Sequence, residues 1–127
     1  MSNRAVISTK DAPNAIGPYS QAIKVGNTVW ISGQIALIPQ SNEMLQGDIK
    51  FEARQAFKNV SEISKAAGGS ISSAVKINIS LVHIEDFDAV NKVMEEFLQP
   101  PYPARACVQV AALPKGASVE IEAILSV

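Results

Sequence analysis

The chain has 127 residues, of which 47% are apolar and 18% are charged, and its net charge at neutral pH is −1. This composition predicts one globular domain over residues 1–127, with a core of moderate size. Lys and Arg do not outnumber Asp and Glu and do not cluster, which argues against a nucleic-acid-binding surface. The single cysteine excludes an internal disulfide and fits a reducing compartment.

The N-terminal stretch "MSNRAVISTKD" lacks the apolar core of a signal peptide, and no apolar run approaches membrane-spanning length. We therefore expect a cytoplasmic protein that does not associate with a membrane, and location in an organelle stays open as the alternative.

Apolar periodicity predicts elements in the order β-β-β-α-β-α-β-β. Gly26-Asn27 predicts a tight turn between the second and third strands. Asp48 can cap the first helix, and Gly68-Gly69 can end it. The predicted strands are 5–9, 20–25, 28–35, 74–82, 104–111 and 118–127, and the predicted helices are 49–67 and 85–98.

Two amphipathic helices can cover only one face of such a sheet. The fourth strand is expected to turn Val75, Ile77, Ile79 and Leu81 to one face. The third strand is apolar on both faces, and Trp30 within it is interpreted as core packing. Because the second sheet face is therefore not simply polar, we expect another copy of the chain to cover it.

The segment "YPARACVQVA" (102–111) places Arg105 and Cys107 on one face of its strand. Glu120 and Glu122 share one face of the last strand. If the two strands pair, Arg105 can converge with one of these glutamates, such as Glu120, on the same sheet face. Pattern alone favours an exposed salt bridge, which contributes about 0–1 kcal/mol. The prolines before Arg105 and a covering subunit favour an anion site instead, because a desolvated guanidinium requires an anion and matches a carboxylate.

The common catalytic motifs find no match in the sequence. Cys107 has no activating histidine near it in the chain, so its expected role is that of a small buried hydrophobic residue. The one histidine, His83, cannot build a metal site alone. No Gly-rich phosphate loop follows a strand. We therefore expect no metal site and no phosphate-binding loop.

Several segments resemble the Rid family of enamine/imine deaminases, also called YjgF, and within it the RidA branch. They are "AIGPYSQAI" (15–23), "ISGQI" (31–35), "ARQAFKNVSEISKAAGGS" (53–70), "YPARACVQVAALPKG" (102–116) and "VEIEAI" (119–124). The resemblance runs nearly end to end and in order. It implies a single α+β domain with a chorismate-mutase-like fold, in which two helices cover one face of a mixed sheet. It also implies a barrel-like homotrimer with sites between the subunits.

The resemblance further implies hydrolysis of 2-aminoacrylate, 2-iminobutanoate and 2-iminopropanoate to 2-oxo acids and ammonia, without a cofactor. Such intermediates escape from pyridoxal-phosphate-dependent dehydratases, to which the protein would be functionally linked. Arg105 would bind the substrate carboxylate, and Glu120 would either position or deprotonate the attacking water or manage the proton on nitrogen. The remaining substrate-binding residues would be Tyr19, Ser32, Gly33, Cys107 through its backbone N–H, and Asn91, for which an exposed helix position is an equal alternative.

Three other functions stay open at this stage. The first is a non-catalytic sensor trimer that binds small 2-oxo acids, although such binding does not need Glu120. The second is an endoribonuclease or translation inhibitor, which the balanced charge and the lack of interleaved aromatic and basic residues disfavour. The third is a holdase-like chaperone, on which the residue pattern gives no information.

Overall fold

A computed structural model describes residues 3–127; Met1 and Ser2, the first two residues of the predicted domain, lie outside the described range. The described residues form a six-stranded sheet and two α-helices. The strands are β1 Arg4–Ile7, β2 Ala22–Val25, β3 Thr28–Gln34, β4 Ala74–Leu81, β5 Ala104–Gln109 and β6 Val119–Ser126, and the helices are α1 Ile49–Ala66 and α2 Phe87–Phe97. The predicted order of elements is confirmed, and most predicted ends differ by one or two residues.

The strands lie in the order β1-β2-β3-β6-β4-β5. All neighbours are antiparallel except β4 and β5, which are parallel. The predicted tight turn at Gly26-Asn27 is confirmed, because Val25 pairs with Thr28 across it. β5 is an edge strand, and β4 separates it from β6.

Both predicted signals at the ends of α1 are confirmed. The side chain of Asp48 accepts a hydrogen bond from the N–H of Lys50 at 2.7 Å, as expected of an N-cap. Past the last turn, Gly68 has a φ of +94°, a conformation that glycine adopts without strain. The N–H of Gly69 then donates to the carbonyl of Ser64 at 3.1 Å.

The core lies between the two helices and one face of the sheet. Alternate residues of β4 and β6 are buried there against Phe57 and Val60 of α1 and Val90 of α2. The opposite sheet face carries Ile23, Trp30, Ile124 and Glu122. The one-sided covering predicted from the sequence is therefore confirmed.

Two side chains do not lie where the pattern predicted. Val75 is 49% exposed, because the register of β4 against β6 shifts between Ala74 and Lys76, and such a shift turns a residue out of its face. The interpretation of Trp30 as core packing is also wrong. Trp30 is 47% exposed because it lies on the sheet face that the helices do not cover.

Within residues 3–127, neither helix combines the length and the apolar character that crossing a lipid bilayer requires.

Candidate functional site

Arg105 lies on the helix side of the sheet, at the edge. It pairs with Ile77, whose side chain is buried beneath the helices, so both side chains are on the same face. The guanidinium lies over the ring of Phe87, 5.0 Å from its centroid, a cation–π arrangement. One of its nitrogens donates to Oδ1 of Asn91 and lies 3.8 Å from the sulfur of Met94. Three residues of α2 therefore orient Arg105.

A cavity of about 400 Å³ opens beside this guanidinium. It is lined by Asn91, Met94, Glu95, Tyr102, Pro103 and Arg105. Arg105 itself is exposed in the single chain. A negatively charged oxygen of a ligand can therefore reach the N–H groups of its guanidinium from the edge of the sheet.

Cys107 is half-buried two residues further along β5. Burial raises the pKa of its thiol, and the nearby charge of Arg105 only partly offsets this effect. The N–H of Val110 donates to the carbonyl of Leu81, and the direction of backbone groups alternates along a parallel ladder. The N–H of Cys107 therefore points to the open edge of β5, where it can bind an anion or a partner.

Glu120 lies on the opposite face of the sheet, beside Ser32 and Gly33. The register of β3 against β6 shifts between Ile31 and Gln34, which places Ser32 and Gly33 in a bulge. An added Cβ at Gly33 would lie only 2.6 Å from Cδ of Glu120. The missing side chain at this position thus makes room for the Glu120 carboxyl group.

The surroundings of Glu120 favour its protonated form. Partial burial raises the pKa of its carboxyl group, and the neighbouring charge of Glu122 raises it further. A carboxyl group whose pKa is raised toward neutrality exchanges protons more readily with a bound substrate. Glu120 is therefore suited to proton transfer.

A second cavity, of about 510 Å³, contains Glu120. Tyr19, Ser32 and Gly33, all predicted as site residues, line it. The hydroxyl of Ser32 donates to the carbonyl of Ser20 at 2.5 Å, which holds β3 against the segment that carries Tyr19. The other lining residues are Pro13, Asn14, Ile16, Gln34, Ile35, Leu37, Pro114 and Lys115.

The expectation that Arg105 and Glu120 share a sheet face is wrong. It required β5 to pair with β6, but β4 lies between them. Ile77 of β4 pairs with Arg105 and faces the helices, whereas Ser80 pairs with Glu120 and faces the other way. The predicted site residues therefore form two groups within one chain, one around Arg105 and one around Glu120.

Two residues beside the predicted ones did not appear as site candidates. Phe87 and Met94 contact the guanidinium of Arg105, but in the sequence they are apolar residues of a predicted amphipathic helix. Their spacing places them on the same side of a helix as Asn91. This spacing indicates a contact with Arg105 only once α2 is known to lie beside β5. In residues 3–127, no three His, Cys, Asp or Glu side chains come together as metal ligands would.

Comparison with known proteins identifies the family. The model of the family described as endoribonuclease L-PSP matches residues 9–127. The chain belongs to this family, which includes the Rid (YjgF) proteins.

Individual relatives agree with this assignment. A protein of Dermatophagoides farinae named 2-iminobutanoate/2-iminopropanoate deaminase is 53% identical over 125 residues, which cover 98% of each chain. The crystal structure of RidA from Psychrobacter sp. PAMC 21119 superimposes with a TM-score of 0.93 at 53% identity, covering 97% of this chain and 99% of that one. Escherichia coli TdcF with bound serine gives a TM-score of 0.91 at 40% identity, covering 97% and 98% of the two chains.

Proposed function

We propose that this Rid-family protein hydrolyses 2-imino acids, such as 2-iminobutanoate and 2-iminopropanoate, and their enamine tautomers to 2-oxo acids and ammonia. The observation that carries the proposal is the 53% identity, over 98% of both chains, to a protein named for this activity. The two groups of polar residues supply the chemistry it needs, namely a cation for the substrate carboxylate and a carboxyl group for proton transfer.

The active site is expected to form between two subunits of a homotrimer. Arg105 and Glu120 lie on opposite faces of one sheet, so they cannot bind one small molecule within a single chain. Two further features support a subunit contact. The edge of β5 presents unpaired backbone groups, and the uncovered sheet face exposes Trp30 and Val108. In a closed ring each subunit offers Arg105 to one neighbour and the Glu120 cavity to the other.

In this arrangement Arg105 holds the substrate carboxylate through paired N–H donors, as a guanidinium does best. The N–H of Cys107, at the open edge of β5, is a second donor for the same carboxylate. Asn91 and Phe87 keep the guanidinium in place. Substrate binding thus depends on β5 and α2 of one subunit.

Glu120 of the neighbouring subunit carries out the proton transfers. Its carboxylate takes a proton from water as the oxygen adds to the imine carbon, and the proton is returned to nitrogen. Glu120 then transfers the hydroxyl proton of the carbinolamine to nitrogen as the carbon–nitrogen bond breaks, which releases ammonia and leaves the 2-oxo acid. Tyr19 and Ser32 close the cavity around this centre. A positioned general base contributes about 10²–10⁴-fold to such a step.

A coupled assay tests the proposal. Threonine dehydratase supplies 2-iminobutanoate, and formation of 2-oxobutanoate is followed with and without this protein. We expect faster release, loss of the effect in Arg105→Ala, and its retention in Arg54→Ala, a matched variant whose arginine pairs with Glu96 away from both cavities. An unaltered protein that does not exceed buffer refutes the deaminase function; tight binding of 2-oxobutanoate without turnover then supports a sensor.

Mixing two inactive variants tests the position of the site. Arg105→Ala and Glu120→Gln subunits are each expected to be inactive alone. In randomly mixed trimers, about a quarter of the interfaces combine an intact arginine with an intact glutamate. Activity restored by unfolding and refolding the variants together therefore supports a site between subunits, whereas its absence in mixed trimers would mean that both residues have to come from the same subunit.

The same proposal assigns the protein a role in metabolite damage control. Imines of this class are released by pyridoxal-phosphate-dependent dehydratases, so we propose a functional link to these enzymes in the cytoplasm.

A further inference from the structure

Most of the buried polar side chains lie behind the cavity that contains Glu120. Within the described part of the chain, the complete set of buried polar side chains is Gln21, Gln34, Glu52, Asn59 and Ser64. Burying a polar group costs free energy unless it is hydrogen-bonded. The partners of each group therefore indicate why it is there.

Two of these side chains hold backbone segments of the cavity wall. Nε2 of Gln21 donates to the carbonyl of Pro13 at 2.7 Å. Nδ2 of Asn59 donates to the carbonyls of Ile35 at 3.2 Å and Leu37 at 2.9 Å. Pro13, Ile35 and Leu37 all line the cavity. The interior thus fixes two parts of the wall by hydrogen bonds rather than by apolar packing alone.

Glu52 fixes a third backbone segment, the one that leads into β6 and Glu120. Glu52 lies in the first turn of α1 and is 3% exposed. Its Oε1 accepts a hydrogen bond from the N–H of Ser118 at 3.1 Å. Ser118 follows the 3₁₀ turn Pro114–Gly116 and precedes β6, while its carbonyl accepts from the N–H of Val82. The backbone two residues before Glu120 is thereby held from both sides.

We propose that Glu52 is a positioning residue for Glu120, acting through the N–H of Ser118. An apolar side chain at position 52 would pack against the core at a lower desolvation cost than a carboxyl group. We therefore attribute the carboxyl group at this position to its hydrogen bond with the N–H of Ser118. Without that acceptor, the N–H of Ser118 has to find another partner, and the start of β6 shifts. Glu120 tolerates little movement, because the Gly33 backbone lies directly against its carboxyl group.

The proposal rests on the proposed deaminase function and is tested with substitutions that change the charge and the reach of the acceptor oxygen separately. Glu52→Gln keeps an acceptor oxygen at the same distance from the N–H of Ser118. Glu52→Asp shortens the side chain by one methylene group and so moves the oxygen away from that N–H. Glu52→Met keeps the side-chain length without a comparable acceptor and serves as the second variant if Glu52→Asp does not fold. The matched control is Ser64→Ala, which removes a buried hydroxyl of α1 that donates only to Val60 of the same helix.

Two measurements distinguish a positioning role of Glu52 from a contribution of Glu52 to the stability of the whole fold. In the coupled assay we expect Glu52→Asp to lower kcat by up to about 10²-fold, the cost of misplacing a reacting group by about 1 Å. KM should change little, because Arg105 binds the carboxylate. In a ¹³C titration, the pKa of Glu120 should fall toward its ordinary value as the carboxyl group leaves its buried position. The charged groups that face Glu120 are Glu122 and Lys115, and both are kept in every variant.

The expected pattern is that Glu52→Gln retains kcat and the Glu120 titration, and that Ser64→Ala lowers only the melting temperature. The proposal is overturned if Glu52→Asp and Glu52→Met also change only the melting temperature. If the unaltered protein shows no deaminase activity, the proposed function fails on its own. The Glu120 titration then still decides whether Glu52 positions this carboxyl group.

Discussion

Replacing Gly33 with alanine should displace the carboxyl group of Glu120 and leave the fold intact. The new methyl group would lie 2.6 Å from Cδ and 2.8 Å from Oε1 of Glu120. Ordinary contact begins near 3.4 Å, so the carboxyl group has to move by about 0.8 Å, the difference between 3.4 and 2.6 Å. The flexible glutamate side chain will yield before the backbone of β3 does.

A displacement of this size predicts a large loss of activity. Misplacing a reacting group by about 1 Å can cost about 10²-fold, which corresponds to about 2.7 kcal/mol of transition-state stabilisation. We therefore expect kcat/KM of Gly33→Ala to fall by about 10- to 100-fold. Gly33 is not in the left-handed region, so alanine is compatible with its backbone. The free energy of unfolding should change by less than about 1 kcal/mol.

Gly69→Ala is the matched control. It is also outside the left-handed region, and its new methyl group would lie 2.6 Å from Val127 Cγ1 and 2.8 Å from Ser73 Oγ. The steric conflict is therefore equally severe but lies away from both cavities. The dehydratase-coupled assay and thermal unfolding should show lost activity without lost stability for Gly33→Ala, and retained activity for Gly69→Ala, whatever the change in its stability. Full kcat/KM in Gly33→Ala would refute the argument that the space beside Gly33 places Glu120 for catalysis.

Three further outcomes follow from the charges and contacts at the site. Burial is the main cause of the raised pKa of Glu120, and the charge of Glu122 adds to it, so in Glu122→Gln the acid limb of the kcat/KM profile should move to lower pH. Glu120→Gln should abolish turnover but raise the melting temperature at neutral pH. The reason is that the raised pKa of Glu120 means a folded-state stabilisation present at low pH and lost as pH rises through that pKa. Asn91→Ala removes the acceptor for Arg105, so KM should rise by about tenfold, the low end for a hydrogen bond to a charged group, while kcat changes less.

Each of these outcomes can fail separately. An unmoved acid limb in Glu122→Gln means that another group titrates in the profile. A melting temperature of Glu120→Gln that stays below that of the unaltered protein at neutral pH means that the carboxylate has favourable partners in the assembled protein. A fall in kcat with unchanged KM in Asn91→Ala places Asn91 next to the reacting atoms instead of behind the guanidinium.

The element order, the caps of α1 and the one-sided core were all predictable, because each depends on residues that are close in the chain. The spacing of Ala53, Phe57 and Val60 describes one side of a helix wherever that helix packs. Asp48 and Gly68 act on the backbone next to them. The family resemblance, likewise, depends on short segments read in order, and it singled out both Arg105 and Glu120.

The relation between Arg105 and Glu120 was not predictable in this way. It depends on β4 lying between β5 and β6 and on the parallel pairing of β4 with β5. Such long-range pairings are selected by the packing of the whole sheet, and the alternation within each strand does not encode them. The same reason explains the exposure of Trp30 and the bulge that turns Val75 outward.

The residues of the candidate site can thus be identified from the sequence, whereas their distribution over two sheet faces is determined by the tertiary structure. Local periodicity shows which side chains share a face of their own strand, but it carries no information about the neighbouring strand. Glu52 illustrates the same limit. Its carboxyl group occupies a helix position next to the apolar stripe, and only the approach of Ser118 from a distant turn gives that carboxyl group a partner.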